Sequence, residues 1–386
     1  HNVILVDWPL YMERLHRLEL DGAMVPDLPP AARGMLGSNS ILTLPGGKGH
    51  TRHKHLRNKV LASLGPKAVL GYLPDMINLV RQTLDAMAAE SRSKGFSSFS
   101  SHAHVLAAEV STLPITAGLE AGLQKQVSSL LDEMLNAVMS VPINLGRFSC
   151  CGRGLLAKQR LTEIIGGLME PQNLSPRSII HDLVKATEDG EGFHTDEMVD
   201  TVTTLLVAGK VTTAESLPAL VVHLQVHRDW AQRIAQEPLS FQGCEDNSAT
   251  LQFVRETLRV QPPIGSYRRR LIDSTQAVDL GEHGTLPPGL PFAAYFQKQL
   301  AEMGSDFNPE RWTPEVAREQ FLIFGGHQPH QCIGKNLALL ELQVFTRVLC
   351  AEYDFEVLDM TRETQPPFLV RGYKDGLKVK IARKAA

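Results

Sequence analysis

Cysteine is scarce in this chain of 386 residues. The five cysteines are Cys150, Cys151, Cys244, Cys332 and Cys350. Their number is odd, two of them are adjacent, and no CxxC pair occurs, so the sequence has neither a disulfide framework nor a four-thiolate zinc pattern. We therefore expect a reducing compartment, either the cytoplasm or the cytoplasmic face of a membrane.

The net charge is also small, and long apolar runs and nucleotide-binding motifs are absent. The formal net charge is -3, which gives no support to a nucleic-acid partner. No run of roughly 18 apolar residues occurs, so the sequence predicts no membrane span within it. No flavin or nicotinamide fingerprint appears. Electrons for any redox reaction would therefore come from a separate protein.

The chain is rich in helical periodicity, with the 43% hydrophobic and 21% charged residues of a globular protein. The periodicity predicts helices over 9–20, 50–64, 67–90, 105–139, 155–169, 176–187, 195–227, 229–237, 248–260 and 335–353. Strands are predicted at 3–6, within 262–291, at 354–358 and at 377–383. Segments 21–49, 141–154 and 292–323 are predicted to be irregular.

No repeat or low-complexity linker divides the chain, so we expect one mainly α domain over residues 1–386, with a minor β part near the C-terminus. The sequence begins at His1 in what resembles the middle of a domain. We expect that an N-terminal portion is missing, and with it a targeting segment or anchor that would associate the protein with a membrane.

A glycine-opened loop, Phe324–Gly334, ends in a lone cysteine just before the last predicted helix. The unpaired N–H groups of a helix N-terminus stabilise a thiolate, which can act as a nucleophile, a redox group or a metal ligand. No CxxC or Cys/His pair lies nearby to complete a zinc site. A single protein ligand to an iron whose other ligands come from a macrocycle fits Cys332 best. The alternative is a small buried cysteine with a structural role.

Three further stretches carry chemistry. Glu256 and Arg259 are three residues apart and share a helix face, and Arg311 lies in a later Asn-Pro-Glu-Arg segment. Within the longest predicted helix, segment 208–213 combines glycine with a threonine pair, whose hydroxyls can bond the preceding turn and open a bulge for a ligand. Each stretch alone has a simpler interpretation: a surface ion pair, a proline turn, or a threonine satisfied within its helix.

Together, in this order and spacing, these stretches resemble the cytochrome P450 family over nearly the whole chain. The resemblance implies the cytochrome P450 fold and haem b with Cys332 as the axial thiolate. It implies a structural triad of Glu256, Arg259 and Arg311. It also implies an oxygen-activating segment containing Ala208, Gly209 and Thr212, in which the Thr212 hydroxyl delivers protons.

The resemblance also assigns residues around the haem. His50 and Lys54, one helical turn apart, would bind one propionate, while Arg269 and His330 stand at the family's other propionate positions. Phe324 and Gly334 would border the cofactor in the cysteine loop. The remaining basic residues His53, His55 and Arg57 are interpreted as a solvated cationic face.

The implied activity is a monooxygenase that hydroxylates a lipophilic small molecule, using dioxygen and electrons from a reductase or ferredoxin. Segments 36–74 and 262–265 look most similar to the branch of retinoic-acid hydroxylases, sterol demethylases and plant terpenoid-hormone oxidases. A sterol, retinoid or other isoprenoid is the expected substrate class. Its contacts are expected in 22–46, 265–268 and 366–373.

Three departures from the family pattern leave alternatives open. The spacing from Phe324 to Cys332 is one residue longer than usual, and Gln328 replaces a glycine. Val211 stands where an acid normally precedes the threonine, and segment 290–306 looks shortened. Val211 motivates a peroxide isomerase, a dehydratase or a nitric-oxide reductase. The irregular loop motivates a degenerate haem-binding protein without activity.

Overall fold

The protein, seen in a computed structural model, is mainly α-helical with small β-sheets, as the sequence predicts. The structure describes residues 3–138, 140–187, 193–241, 243, 247–295, 297–326, 329–362 and 373–385. The α-helices are Trp8–Leu10, His16–Leu20, Pro30–Leu36, Thr51–Leu64, Pro66–Val69, Leu73–Lys94, Phe99–Thr116, Ala121–Val138, Cys150–Leu168, Ile179–Ala186, Thr195–Val226, Arg228–Ala235, Ala249–Val260, Gln297–Glu302, Pro314–Gln320 and Lys335–Glu352. A π-helical turn, Tyr11–Leu15, joins the first two.

The strands form three sheets. They are β1 (Ile4–Asp7), β2 (Met24–Pro26), β3 (Ser97–Ser98), β4 (Ser266–Leu271), β5 (Val278–Asp279), β6 (Thr285–Leu286), β7 (Phe292–Tyr295), β8 (Tyr353–Val357) and β9 (Lys378–Arg383). The largest sheet has the order β1-β7-β4-β2, and only its β1–β7 pair is parallel. The other described sheets are β3-β9-β8 and the β5–β6 pair, both antiparallel.

Some predicted boundaries are wrong for identifiable reasons. The single helix predicted over 105–139 is two helices, because Ala117 and Gly118 adopt left-handed backbone conformations with φ of 61° and 91°. Segments 21–49 and 292–323 are not irregular throughout, since they contain β2, β7 and three short helices. These elements are too short for an apolar period to show. Met139, at the end of the predicted helix, lies outside the described residues.

The long helix, Thr195–Val226, is the centre of the larger hydrophobic core. It packs most extensively on helix Phe99–Thr116. At their contact, a Cβ on Gly209 would meet the Cβ of Ser111 at 2.7 Å, so glycine permits the close approach. This helix is long and apolar enough to cross a membrane, yet 72% of its most apolar window is buried within the protein, as in a core helix.

The end of the long helix carries a stack of three rings. The Phe307 ring lies 4.6 Å from that of His223 and 4.2 Å from that of His227, nearly parallel to both. Burial, aided by the charges of His227 and Arg362, lowers the pKa of His223 from 6.5 to about 4. The folded protein therefore keeps this imidazole neutral, whereas the unfolded chain protonates it below pH 6.5.

We expect acid to destabilise the protein through His223. Between pH 6.5 and about 4 the unfolded state binds more protons, so stability falls as the pH falls through that window, by about 3 kcal/mol. The variant His223→Phe keeps the stack without a titrating ring. Urea unfolding at pH 7 and pH 4.5 should show a smaller loss for His223→Phe than for the wild type. Equal losses in both proteins would contradict the assignment.

Candidate active site

Glu256 is fully buried at the centre of a charge network on helix Ala249–Val260. Both carboxylate oxygens accept hydrogen bonds from Arg259, at 2.8 Å each. Arg311 donates from Nε at 3.1 Å, and Trp312 donates from its indole at 2.8 Å. The geometry that the sequence predicts for Glu256, Arg259 and Arg311 is therefore present. Trp312 is a fourth member that sequence reasoning missed, although it directly follows Arg311.

Arg259 and Arg311 use their remaining donors on backbone carbonyls. Arg259 bonds the carbonyl oxygens of Leu300, Gly304 and Asp306 at 2.8–2.9 Å. Arg311 bonds that of Met303 at 2.5 Å. Because every strong donor has an acceptor, the buried charges are compensated. The network ties helix Ala249–Val260 to segment 300–312, which leads to the cysteine loop.

In the described part of the cysteine loop, Cys332 lies just before the N-terminus of helix Lys335–Glu352. Gly325 and Gly326 have φ of 88° and 58°, which only glycine adopts freely. The Cys332 N–H bonds the Phe324 carbonyl at 2.8 Å, and Gly334 caps the helix. His327 and Gln328, including the predicted departure at Gln328, lie outside the described residues.

The Cys332 side chain is accessible to solvent, although protein atoms lie densely around it. Burial raises the pKa of its thiol. The N–H groups of Gly334 and Lys335, with the charges of Arg57 and Lys335, act in the opposite direction. These donors favour the thiolate. No group of three His, Cys, Asp or Glu side chains suited to a metal ion occurs among the residues that can be described.

A stripe of the long helix is accessible in the middle of an otherwise buried element. Ala208 is exposed, and Val211, Thr212 and Glu215 are partly accessible, whereas residues 201–207 are buried. Positions 208, 211, 212 and 215 follow the helical period and share one face. The helix is therefore open on this face to a space that protein side chains do not fill.

The predicted bulge in segment 208–213 is wrong, because the helix runs without interruption from Thr195 to Val226. The predicted back-bond is present: the Thr212 hydroxyl donates to the Ala208 carbonyl at 3.1 Å. Lys210 points away from the stripe. Its fully buried ammonium contacts Ser128 and pairs with Asp132 at 2.5 Å.

The basic residues of helix Thr51–Leu64 that face the protein interior are not the ones that the sequence predicts. The His50 imidazole is hydrogen-bonded to the Gly22 carbonyl at 2.8 Å, and Lys54 is exposed. His53 is 3% exposed and bonds the Ile41 carbonyl at 3.0 Å. The interpretation of His53 as part of a solvated face is therefore wrong.

Arg57 follows His53 by one turn and is also turned inward. Burial lowers the pKa of its guanidinium, and attraction to Cys332 opposes that shift. The solvated interpretation of Arg57 is wrong as well. The signal was present in the sequence: Leu56, Val60 and Leu64 form the apolar stripe of this helix, and His53 and Arg57 lie beside it.

Arg269 and His330, predicted to bind propionates, have partners within the protein. Arg269 pairs with the Glu19 carboxylate at 2.9 Å. His330 bonds the Leu44 carbonyl through Nε2 at 2.9 Å and packs against His53, with the ring centroids 4.4 Å apart and the ring planes tilted by 44°. The two residues are brought together, but around a protein carboxylate.

A haem fits part of this arrangement. Cys332 supplies a thiol surrounded by N–H groups at a helix N-terminus. Arg57 supplies a cation beside it. Ala208 and Thr212 supply an accessible, small-residue helix face against which a flat ring can pack. Lys54 does not fit, because its ammonium lies on the exposed outer face of its helix.

We expect Arg57→Gln to release haem about tenfold faster than the wild type, because a partly buried, positively charged partner of an anionic group is lost. Lys54→Gln removes the same charge on the outer face of the same helix and is the matched control. Haem transfer to apomyoglobin measures both rates. Faster release from Lys54→Gln than from Arg57→Gln would restore the original assignment.

Comparison with known proteins places the chain in a family. The sequence profile of the family described as cytochrome P450 matches residues 158–378, more than half of the chain. Cytochrome P450 26A1 of Gallus gallus is 25% identical over 375 residues, covering 86% of this chain and 72% of that protein. Cytochrome P450 85A1 of Solanum lycopersicum is 24% identical over 361 residues, covering 86% and 74%.

Solved structures show the same fold. The retinoic acid bound cyanobacterial CYP120A1 superposes with a TM-score of 0.79 at 22% identity, covering 97% of this chain and 87% of that chain. P450BioI in complex with an acyl carrier protein superposes with a TM-score of 0.72 at 18% identity, covering 97% and 91%. With the matched family profile, these findings establish that the chain belongs to the cytochrome P450 family of monooxygenases, oxidoreductases that bind haem b through a cysteine thiolate.

Proposed function

We propose that this protein hydroxylates a lipophilic small molecule of the retinoid, sterol or other isoprenoid class, with Cys332 as the axial ligand of its haem. Dioxygen and a separate reductase or ferredoxin complete the reaction. One observation carries the assignment of the ligand: the accessible Cys332 thiol lies at a helix N-terminus, where the N–H groups of Gly334 and Lys335 oppose the rise in its pKa that burial causes.

The protein groups around the site have separate roles. When bound, haem with a thiolate ligand supplies iron chemistry that favours O–O cleavage. Cys332 would hold the iron, and the N–H groups of Gly334 and Lys335 would moderate the charge on its sulfur. Arg57 would bind a propionate. Ala208 would keep the accessible helix face flat beside the ring, while Gly209 permits the close approach of helix Phe99–Thr116 behind it.

Thr212 would hold a proton at its Oγ1 atom. Its hydroxyl is anchored on the Ala208 carbonyl and keeps its oxygen lone pairs available to a second donor. Val211 offers no carboxylate to resupply the proton, and the Lys210 ammonium is committed to Asp132. We therefore expect proton delivery through Thr212 to depend on water in the space beside this helix face.

The substrate class is supported by the relatives. CYP120A1 binds retinoic acid in its solved structure. Here, segment 36–39 packs on the first half of the long helix: the Asn39 N–H bonds Asp200 at 3.2 Å, and a Cβ on Gly37 would meet the Asp200 carboxylate at 2.0 Å. This segment lies within the predicted substrate region 22–46. Of the predicted region 366–373, residues 366–372 lie outside the described residues.

A titration of the ferric holoprotein tests the substrate class. Retinoic acid, a sterol and a saturated fatty acid are each added while the Soret band is followed. A blue shift with the retinoid or the sterol, but not with the fatty acid, is expected. The binding compound should then gain one oxygen atom when a reductase, reductant and dioxygen are supplied. Binding of the fatty acid alone would overturn the proposal.

Val211 favours a second candidate, the isomerisation or dehydration of a peroxide or the reduction of nitric oxide, since none of these reactions needs protons delivered to dioxygen. The same holoprotein decides between them. A lipid hydroperoxide that is converted without reductant, or nitric oxide that is consumed with reductant, would favour this candidate. Product formation that requires both reductant and dioxygen would exclude it.

A further inference from the structure

A buried carboxylate lies where the sequence predicts a haem propionate to be bound. Glu19 is 1% exposed, at the end of helix His16–Leu20. Its carboxylate accepts hydrogen bonds from Arg269 Nε at 2.9 Å and from the Tyr11 hydroxyl. His330 Nδ1 lies 3.9 Å from the same carboxylate. This nitrogen has no hydrogen-bond partner among the described residues.

The chain around Glu19 is packed so that the carboxylate cannot easily withdraw. The Lys48 N–H bonds the Leu20 carbonyl at 2.8 Å. Gly47 has φ of 95°, and a Cβ there would meet the carbonyls of Glu19 and Leu20 at 2.5 and 2.8 Å. Segment 44–48 therefore holds the helix end, and its Leu44 carbonyl also holds the His330 ring.

Glu19 is an anion at neutral pH. Burial alone would raise the pKa of its carboxyl, but His330, Arg269 and Tyr11 together hold it at about 2. Arg269 thus has its charge compensated by the protein itself. A second carboxylate brought to the same guanidinium would meet the repulsion of the first in a region of low dielectric.

We propose that Glu19 is an internal substitute for a haem propionate: it occupies the anion position formed by Arg269 and His330 and thereby weakens the retention of haem. The proposal rests on the haem site described under Proposed function. It makes Glu19 a positioning residue, since it acts through Arg269 and His330 and not on the reacting atoms. One propionate would then depend on Arg57, while the other would lack a full charge partner at Arg269.

The variant Glu19→Gln tests the proposal, because the amide keeps the shape and removes the charge. Haem transfer from the ferric holoprotein to apomyoglobin should slow about tenfold, since Arg269 is released to bind a propionate. Glu13→Gln, on the same N-terminal helical segment, is the matched control. Glu13 is exposed and pairs only weakly with Arg14, so its variant should release haem at the wild-type rate.

Two further measurements separate propionate binding from a general effect on the fold. With haem dimethyl ester, which has no free carboxylate, Glu19→Gln should release the cofactor at the same rate as the wild type. The double variant Glu19→Gln/Arg269→Gln should return to the wild-type rate with ordinary haem. If Glu19→Gln does not fold, Glu19→Asp withdraws the carboxylate by one methylene and should give a smaller slowing.

The outcomes distinguish this proposal from the haem site itself. Haem release from Glu19→Gln that is equal to or faster than that from Glu13→Gln overturns the role of Glu19, as does a slowing that persists with the dimethyl ester. The ferrous CO complex of the wild type is recorded in parallel. A missing thiolate-type Soret band in the wild type would instead overturn the function of Cys332.

Discussion

Replacing Cys332 by alanine is expected to abolish the red-shifted Soret band of the ferrous CO complex and to lower product formation by more than about 100-fold. The reason is the loss of the thiolate itself. Mutation of groups that merely orient a metal ligand already costs about 10–100-fold, so loss of the ligand costs more. Absorbance spectroscopy of the purified protein, with haem quantified separately, measures the effect.

Cys350→Ala is the matched control for that experiment. Cys350 lies in the helix that follows Cys332, is buried in the core, and has a thiol pKa that burial raises to about 12. It is therefore a neutral packing residue. Its replacement should leave the CO spectrum unchanged and lower stability by about 1 kcal/mol at most. A thiolate-type band that survives in Cys332→Ala would show that another group binds the iron.

Glu256→Gln should destabilise the protein by about 3–5 kcal/mol, the cost of breaking a buried ion pair from one side. The amide has nearly the shape of the carboxylate but leaves the charges of Arg259 and Arg311 uncompensated. The Trp312 indole keeps an acceptor. We expect a large fall in the urea midpoint of unfolding, and poor haem incorporation because segment 300–312 leads to the cysteine loop.

Glu310→Gln provides the comparison within the same segment. Glu310 pairs with Arg233 at 3.1 Å, but both side chains are more than half exposed, so this ion pair contributes little. Its variant should unfold within about 0.5 kcal/mol of the wild type. A similar midpoint for both variants would mean that the network around Glu256 is not a stabilising element.

The predictions from sequence succeeded where a local pattern has one spatial solution. The long helix was predicted at 195–227 and is Thr195–Val226, because its apolar period and acidic first turn define a helix without reference to the rest of the chain. The pairing of Glu256 with Arg259 follows from their spacing on one helix turn. The position of Cys332 before the last helix follows from the glycine-rich loop and the period that begins after it.

The predictions from sequence failed where the position of a side chain depended on how its helix is rotated within the fold. The spacing of His50 and Lys54 predicts a shared helix face, but His50 precedes helix Thr51–Leu64 and does not have a helical backbone conformation. The spacing also does not say whether such a face meets protein or water. Packing of Leu56 and Val60 into the core turned His53 and Arg57 inward and left Lys54 exposed.

The sequence by itself determined the family, the helical architecture and a lone cysteine at a helix mouth, since these depend on short-range periodicity and on residues placed in a characteristic order. Only the tertiary structure decided which cations surround that cysteine and what they already bind. Glu19 lies 250 residues from Arg269 along the chain. Because a buried charge takes whatever counter-charge the fold brings to it, no local pattern could have paired these two residues.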